Sequence, residues 1–246
     1  MKHTIHFILC IAFSIMLLAN TAFSQEEEFV LKDDEKAICS FLRLSGQEPD
    51  IEKWILGSQK YIDADKFDKR DILAEDKIRL DKGCKQLKIE SDVIKIHNKI
   101  LLSKVVENGE TFLTTQFLEK NKNAILYFSY TYGEHFIIAV PKNFDPFKKI
   151  KLKPEQITTD VGYLQEGVPY QATMEIRLKP VSADASAKIE VDGKERWIMI
   201  TEIAHVDIKN RHKFLSTMAT IWDYSASWYF DESQKTLLEH FRGNTP

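Results

Sequence analysis

The chain carries little cysteine, no strong excess of either charge, and no apolar stretch long enough to cross a membrane as a helix. Three cysteines among 246 residues are too few for a fold held mainly by disulfides. A formal net charge of -3 lacks the strong positive excess that accompanies bulk nucleic-acid binding. Spaced signatures are missing as well: there is no G-x-S-x-G elbow, H-E-x-x-H pair, C-x-x-C pair, G-x-x-x-x-G-K-[ST] phosphate loop or G-x-G-x-x-G fingerprint. Neither a nucleotide nor another cofactor is expected, and no metal-ligand set is visible. Catalysis by residues that converge only in space stays open.

The chain does begin with an address. Lys2 precedes a largely apolar run over residues 7–19, then Ala22, Phe23 and Ser24, then Glu26, Glu27 and Glu28. A run of 13 residues falls short of the roughly 20 that a spanning helix needs. The pattern predicts a signal peptide over residues 1–24, cleaved after Ser24, and a periplasmic or secreted protein with no stable membrane span after cleavage. The remaining chain is long enough to bury about 70% of its unfolded surface. At 43% hydrophobic and 29% charged, its composition is that of a folded protein.

Cys10 leaves with the signal, so Cys39 and Cys84 remain. A pair in an oxidising compartment is a candidate disulfide, and two buried thiols are the alternative. A bridge closing so long a loop would stabilise the fold by roughly 3–4 kcal/mol.

Up to Leu87 the pattern is helical. The first segment ends at Ser45-Gly46 and Pro49. A second opens at Asp50 as an N-cap and is weakened by Gly57, and a third covers residues 67–87. Beyond Leu87 the period alternates, as in half-buried strands: Ile94, Ile96, Ile100 and Leu102 share one parity, and residues 170–179 show the same rhythm. Asn108-Gly109 and Asp192-Gly193 mark tight hairpin turns, and Gly133 marks another. A strand carrying Trp222, Tyr224, Trp228 and Phe230 follows, then a short helix over residues 233–241. Helices first and strands afterwards predict an α+β fold. The expected parts are a signal peptide (1–24), a helical segment (25–88) and an antiparallel β domain (89–246) built as a sandwich or open barrel with a C-terminal helix.

Five groups of residues are candidates for function. Asp63 and Asp65 have the spacing of the first ligands of a calcium loop, but Phe67, Asp68 and Ala74 stand where a ligand, the turn glycine and the closing glutamate are required, so a charged helix boundary is the reading. His205 and Asp207 share one face of a strand and supply a base with its orienting carboxylate, or two metal ligands, if a third group such as His97, His135 or His212 approaches; a solvated strand face is the alternative. Glu202 interrupts an apolar parity formed by Ile198, Ile200, Ala204, Val206 and Ile208, and a carboxylate aimed into that face needs a partner. With Asp160, Glu166 and Glu190, it leaves a glycosidase-like carboxylate pair open.

Lys148, Lys149 and Lys151 concentrate positive charge beside Phe144 and Phe147, which suits an anionic envelope polymer; the same residues also keep loops soluble. Trp222, Tyr224 and Trp228 form an aromatic stripe that serves either as a gripping surface or as core, with Tyr229 facing water in the second case. The leading expectation is a non-catalytic binding or scaffold protein of the bacterial cell envelope, with a protein or an envelope component as partner. The alternatives are a hydrolase of envelope polymer using His205 and Asp207, and a secreted interaction protein. The sequence does not define an oligomeric state.

Overall fold

A computed structural model of the chain describes residues 29–118, 126–142, 144–159, 161–211 and 218–229. Helix α1 (Asp33–Leu44) opens on Asp33, Asp34 and Glu35, whose charges suit the positive end of a helix dipole. Glu35 also accepts the Lys32 N–H at 2.8 Å. Helix α2 (Ile51–Leu56) is capped by Asp50, whose carboxylate accepts the Lys53 N–H at 3.0 Å. It stops at Gly57, and α3 (Gln59–Asp63) restarts one residue later with Ser58 as its cap. Helix α4 (Asp68–Gln86) follows. Asp65 accepts the N–H groups of Phe67 and Asp68 at 2.8 and 3.0 Å, so the calcium-like spacing opens a helix. Among the described residues no helix is long and apolar enough to cross a membrane.

The helices are tied to one another by few, specific contacts. Arg79 on α4 donates two hydrogen bonds of 2.7 Å to the buried Glu35 carboxylate on α1. Burial pushes the Glu35 pKa up, but the hydrogen bonds from Arg79 and the Lys32 N–H, with the Arg79 charge, outweigh it and hold the group below its ordinary value. A disulfide joins Cys39 on α1 to Cys84 on α4.

Strands β1 (Ile94–Glu107), β2 (Glu110–Phe117), β3 (Phe128–Tyr132), β4 (His135–Lys142), β5 (Lys149–Lys151), β6 (Tyr170–Val191), β7 (Lys194–Arg211) and β8 (Met218–Ser225) belong to one sheet. A 3₁₀ turn (Asp145–Phe147) precedes β5, and a short helix α5 (Pro154–Thr159) follows it. The sheet order is β3-β4-β7-β6-β1-β2-β5, with β8 paired to β7. Both expected hairpins form: Asn108 and Gly109 have φ of 52° and 78°, Asp192 and Gly193 of 52° and 73°, the positive values that a type I′ turn requires.

The sequence expectation needs two corrections here. The described strands make a single open sheet and not a two-sheet sandwich. The pairing is also mixed, because β4 runs parallel to β7. The sheet stays together because β6 and β7, at 22 and 18 residues, are long enough for β7 to pair with β4 along its first half and with β8 along its second. Alternation breaks in β6 after Leu178, which hides its continuation to Val191; register shifts fall at Pro180/Ser182 and at Asp184/Lys188. Residues 233–241, with the expected terminal helix, lie outside the described residues, as do Asp160, His212 and Phe230.

Helices and sheet share one core. The described residues from Leu31 onward form one compact unit. Helix α1 lies on the inner face of the sheet, against β1, β3, β4 and β6, and buries Ala37, Ile38, Phe41 and Leu42. Further along that face the link from β4 to β5 inserts Phe144 and Phe147, both buried.

Candidate functional site

A cleft of about 530 Å³ opens where the α1–α2 turn and α2 meet the β3–β4 hairpin. It is lined by Gln47, Glu48, Asp50, Lys53, Trp54, Tyr132, Gly133, His135 and Trp197, with Leu42 at its base. Two glycines permit the approach: a Cβ on Gly57, at the end of α2, would lie 3.4 Å from the Gly133 Cα, and Gly133 itself has φ of 56°. Asp50 N–H donates to the Tyr132 hydroxyl at 2.8 Å, which clips α2 to the hairpin.

Aromatic rings run continuously through this cleft. Trp54 meets Tyr132 edge-on at 5.6 Å, Tyr132 stacks with His135 at 6.5 Å, and His135 stacks on Trp197 at 4.2 Å. Phe41 from α1 also stacks on Trp197, at 5.4 Å. Trp197 is 8% exposed, and its Nε1–H is buried without a hydrogen-bond partner. Buried donors are nearly always satisfied, and this enclosed indole N–H is one of the exceptions among the described residues. The residues of this cleft lie in three separate stretches of chain and share no spacing, so the sequence offered only the Gly133 turn and the Pro49 break as pointers.

A second cleft of about 590 Å³ lies between β1 and β3, lined among others by Asp33, Asp34, His97, Tyr127, Tyr130 and Asp192. Tyr127 donates to the Asp192 carboxylate. The buried Tyr130 hydroxyl has no partner; burial, and then the charges of Asp33 and Asp34, push its pKa up.

The outer face of the sheet carries His205 and Asp207. Registers align two polar rows across β1, β6, β7 and β8: Lys95, Arg177, His205 and Ser225 in one, His97, Glu175, Asp207 and Asp223 in the other. Glu175 accepts hydrogen bonds from Arg177 Nε at 2.8 Å and Lys209 Nζ at 3.1 Å. Burial raises its pKa, but these two cations override it and bring the group down to about 2. Lys209 also sits 3.0 Å from Asp207 Oδ2, so one oxygen of the carboxylate that would orient a general base is held by a lysine, while Oδ1 is buried without a partner among the described residues. His205 Nδ1 pairs instead with Ser225 Oγ at 2.8 Å, and its Nε2 is buried without a partner. Burial, then the Arg177 charge, lower its pKa against the smaller opposing effects of Asp207, Asp223 and Glu175, which leaves a neutral imidazole. His97 comes within 3.9 Å of Glu175. Among the described residues no three-ligand metal cluster forms.

Glu202 does not point into the apolar face. Arg177 pairs with His205 and Leu178 with Ile203, so Ala204 is an extra residue, and such a bulge reverses the side on which every following side chain projects. The inner face is taken by Trp197, Met199, Thr201 and Ile203 before the bulge and by Val206 and Ile208 after it, all buried. Glu202 therefore shares the outer face with Ile198 and Ile200 and is half-buried there.

The lysine segment is locally neutralised: Lys148 pairs with Asp145 at 2.6 Å, Lys149 with Glu107 and Lys151 with Glu110. The aromatic stripe is divided. Trp222 and Tyr224 contact the inserted Phe147 at 6.2 and 5.1 Å between centroids. Trp228 lies past the end of β8, 44% exposed, with Lys179 Nζ 4.9 Å from its ring centroid. Tyr229 accepts a hydrogen bond from Arg177 at 2.7 Å, so it closes over the polar rows instead of facing water.

Compared with protein-family models, with curated proteins and with solved structures, the chain finds no match in any of the three.

Proposed function

We propose that the chain is an exported, non-catalytic binding protein of the cell envelope, with its ligand held in the cleft between the helices and the β3–β4 hairpin. The observation that carries this reading is the cleft itself, whose wall sets Trp54, Tyr132, His135 and Trp197 beside Gln47, Glu48 and Lys53. At about 530 Å³ the cleft lies within the roughly 300–1,000 Å³ of small-molecule pockets, which are lined by rings with a few placed polar groups. Export is supported by the short apolar run at residues 7–19 and by the Cys39–Cys84 bridge, which persists in oxidising compartments. A non-catalytic role is supported by the neutralised carboxylates beside His205.

The test is photo-crosslinking in the native envelope. A crosslinking side chain replaces Gln47 at the cleft rim, and another replaces Lys82 on α4. Capture from position 47 and not from position 82, on a chain whose amino terminus is Gln25, is the expected outcome. A cytosolic chain still carrying Met1, or equal capture from both positions, contradicts the reading.

A further inference from the structure

We infer that β3 is a docking edge for an extended peptide segment of a partner protein, one that carries a basic side chain and adds as a further strand in the cleft between β3 and β1. This surface lies at the other end of β3 from the ligand cleft and does not depend on it. The cleft, of about 590 Å³, is lined by consecutive residues of two strands, 95–98 of β1 and 126–130 of β3. Consecutive side chains project to opposite faces of a sheet, so a cavity touched by all of them runs along strand edges and not over a face. β3 ends the sheet order and has β4 as its one strand partner among the described residues. Tyr132 and His135 close a two-residue turn, which makes them a hydrogen-bonded pair, and alternation then turns the backbone N–H and C=O of Ser129 and Thr131 away from β4. Ser129 and Thr131 are also the exposed residues of the strand.

Sheet edges are ordinarily blunted by charge, by proline or by shortness. At the opposite end of the order, β5 is three residues long with a lysine at each end. Residues 126–132 contain no charged residue, proline or glycine, so this edge keeps its pairing groups available. The facing wall is already capped. β1 pairs with β2 only from Ile100 onward, but its Lys95 N–H is taken by Asp33 at 2.9 Å and its Lys99 C=O by the Leu118 N–H at 3.3 Å. The same wall selects the occupant. A second copy offering its own β3 would drive its β4 and the rest of its sheet into β1. A single extended segment needs only its own width, with main-chain bonds for affinity and alternate side chains for selection. Three carboxylates, Asp33, Asp34 and Asp192, line the cleft against one lysine, Lys95, so lysine or arginine on the segment is favoured and glutamate disfavoured.

The experiment measures amide hydrogen exchange at Ser129 and Thr131 by NMR of the full exported chain while blocked hexapeptides are titrated. One pool alternates β-branched residues with lysine, a second has glutamate in place of lysine, and a third is the lysine pool N-methylated throughout. Saturable slowing of both amides by the lysine pool is expected, with affinity about five-fold weaker for the glutamate pool, as for loss of one exposed ion pair. No slowing is expected from the methylated pool, which has no backbone donors to pair. Thr131→Pro removes one edge N–H where an edge strand tolerates proline, and it should weaken the slowing at Ser129. A double variant, Asp34→Asn with Asp192→Asn, keeps a residue tolerant of positive φ in the turn and should erase the preference for lysine. Equal slowing by the methylated pool overturns strand addition. Equal affinity for the lysine and glutamate pools overturns the basic partner. Slowing that appears on concentrating the chain without peptide assigns the edge to a second copy and overturns the peptide. No slowing with any pool overturns the docking edge, and crosslinking from position 47 still judges the ligand cleft separately.

Discussion

The His135 imidazole stacks on the Trp197 indole, with ring centroids 4.2 Å apart and planes 28° from parallel. This contact joins the first residue of β4 to a residue of β7 some sixty positions further along the chain. It also places a half-buried, polar ring over the side chain that carries the orphaned donor.

His135→Ala should therefore act locally. Loss of one aromatic stack costs about 0.5–1.5 kcal/mol, a Tm decrease of about 1–6 °C for a chain of this size. Opening Trp197 to water should also shift its emission to longer wavelength. Unchanged emission together with an unchanged Tm would show that the stack contributes nothing.

Reduction of the Cys39–Cys84 bridge frees a loop with a sequence separation of 45. The loop-entropy relation gives a loss of about 3–4 kcal/mol, and α4, held to α1 otherwise by the Arg79–Glu35 pair and by Arg43, which donates to the Cys84 and Leu87 carbonyls, is the element expected to loosen first. Urea unfolding of a Cys39→Ala, Cys84→Ala double variant reads the first quantity, and hydrogen exchange along residues 68–86 reads the second. Uniform exchange acceleration over the sheet, with α4 no faster than β6, would contradict the local origin.

Much of this architecture was legible from residue pattern, and what escaped did so for identifiable reasons. Asp50 marked the start of α2 and Asp192-Gly193 marked its hairpin, because caps and positive-φ turns are set by neighbouring residues, whereas Gly57, read as a weak point within one helix, ends α2. The parallel pairing of β4 with β7 was hidden, since it joins residues some sixty positions apart. Glu202 was read on the wrong face because a one-residue bulge at Ala204 leaves no trace in an alternating string. The lysines at 148, 149 and 151 looked like a free positive patch for a similar reason: their carboxylates, Glu107 and Glu110, arrive from β1 and β2 through sheet register. The cleft was least visible of all, because it is assembled from two distant turn regions and a core tryptophan.

Glu175 should make the stability of the sheet depend on acid. Its folded pKa of about 2 lies below the ordinary 4.5, so its contribution is fully present above about 4.5 and is lost as pH falls through about 2. The difference corresponds to roughly 3 kcal/mol at neutral pH. E175Q should lose stability on the order of 2 kcal/mol at pH 7, where Arg177 and Lys209 keep only a neutral acceptor, and should flatten the decline between pH 4.5 and 2. Urea midpoints measured across that range for both proteins decide it; parallel curves would mean that the carboxylate is not held by its two cations.

His205 works in the opposite chemical sense over a higher range. Its folded pKa lies below the ordinary 6.5, so the unfolded chain binds the proton more readily than the fold does. The stabilisation is complete above pH 6.5 and falls away as pH drops below it toward the folded value. Asparagine at this position keeps a group able to hydrogen-bond Ser225 while removing the titration. H205N should therefore unfold at nearly the same urea concentration as the parent at pH 7.5 and should lose less of its stability by pH 5.5. If the two curves fall together over that interval, the imidazole is not held neutral by burial. A greater loss in H205N would mean that the protonated ring is favoured by Asp207, Asp223 and Glu175 over Arg177, which would return the pair His205 and Asp207 to consideration as a catalytic base and its carboxylate.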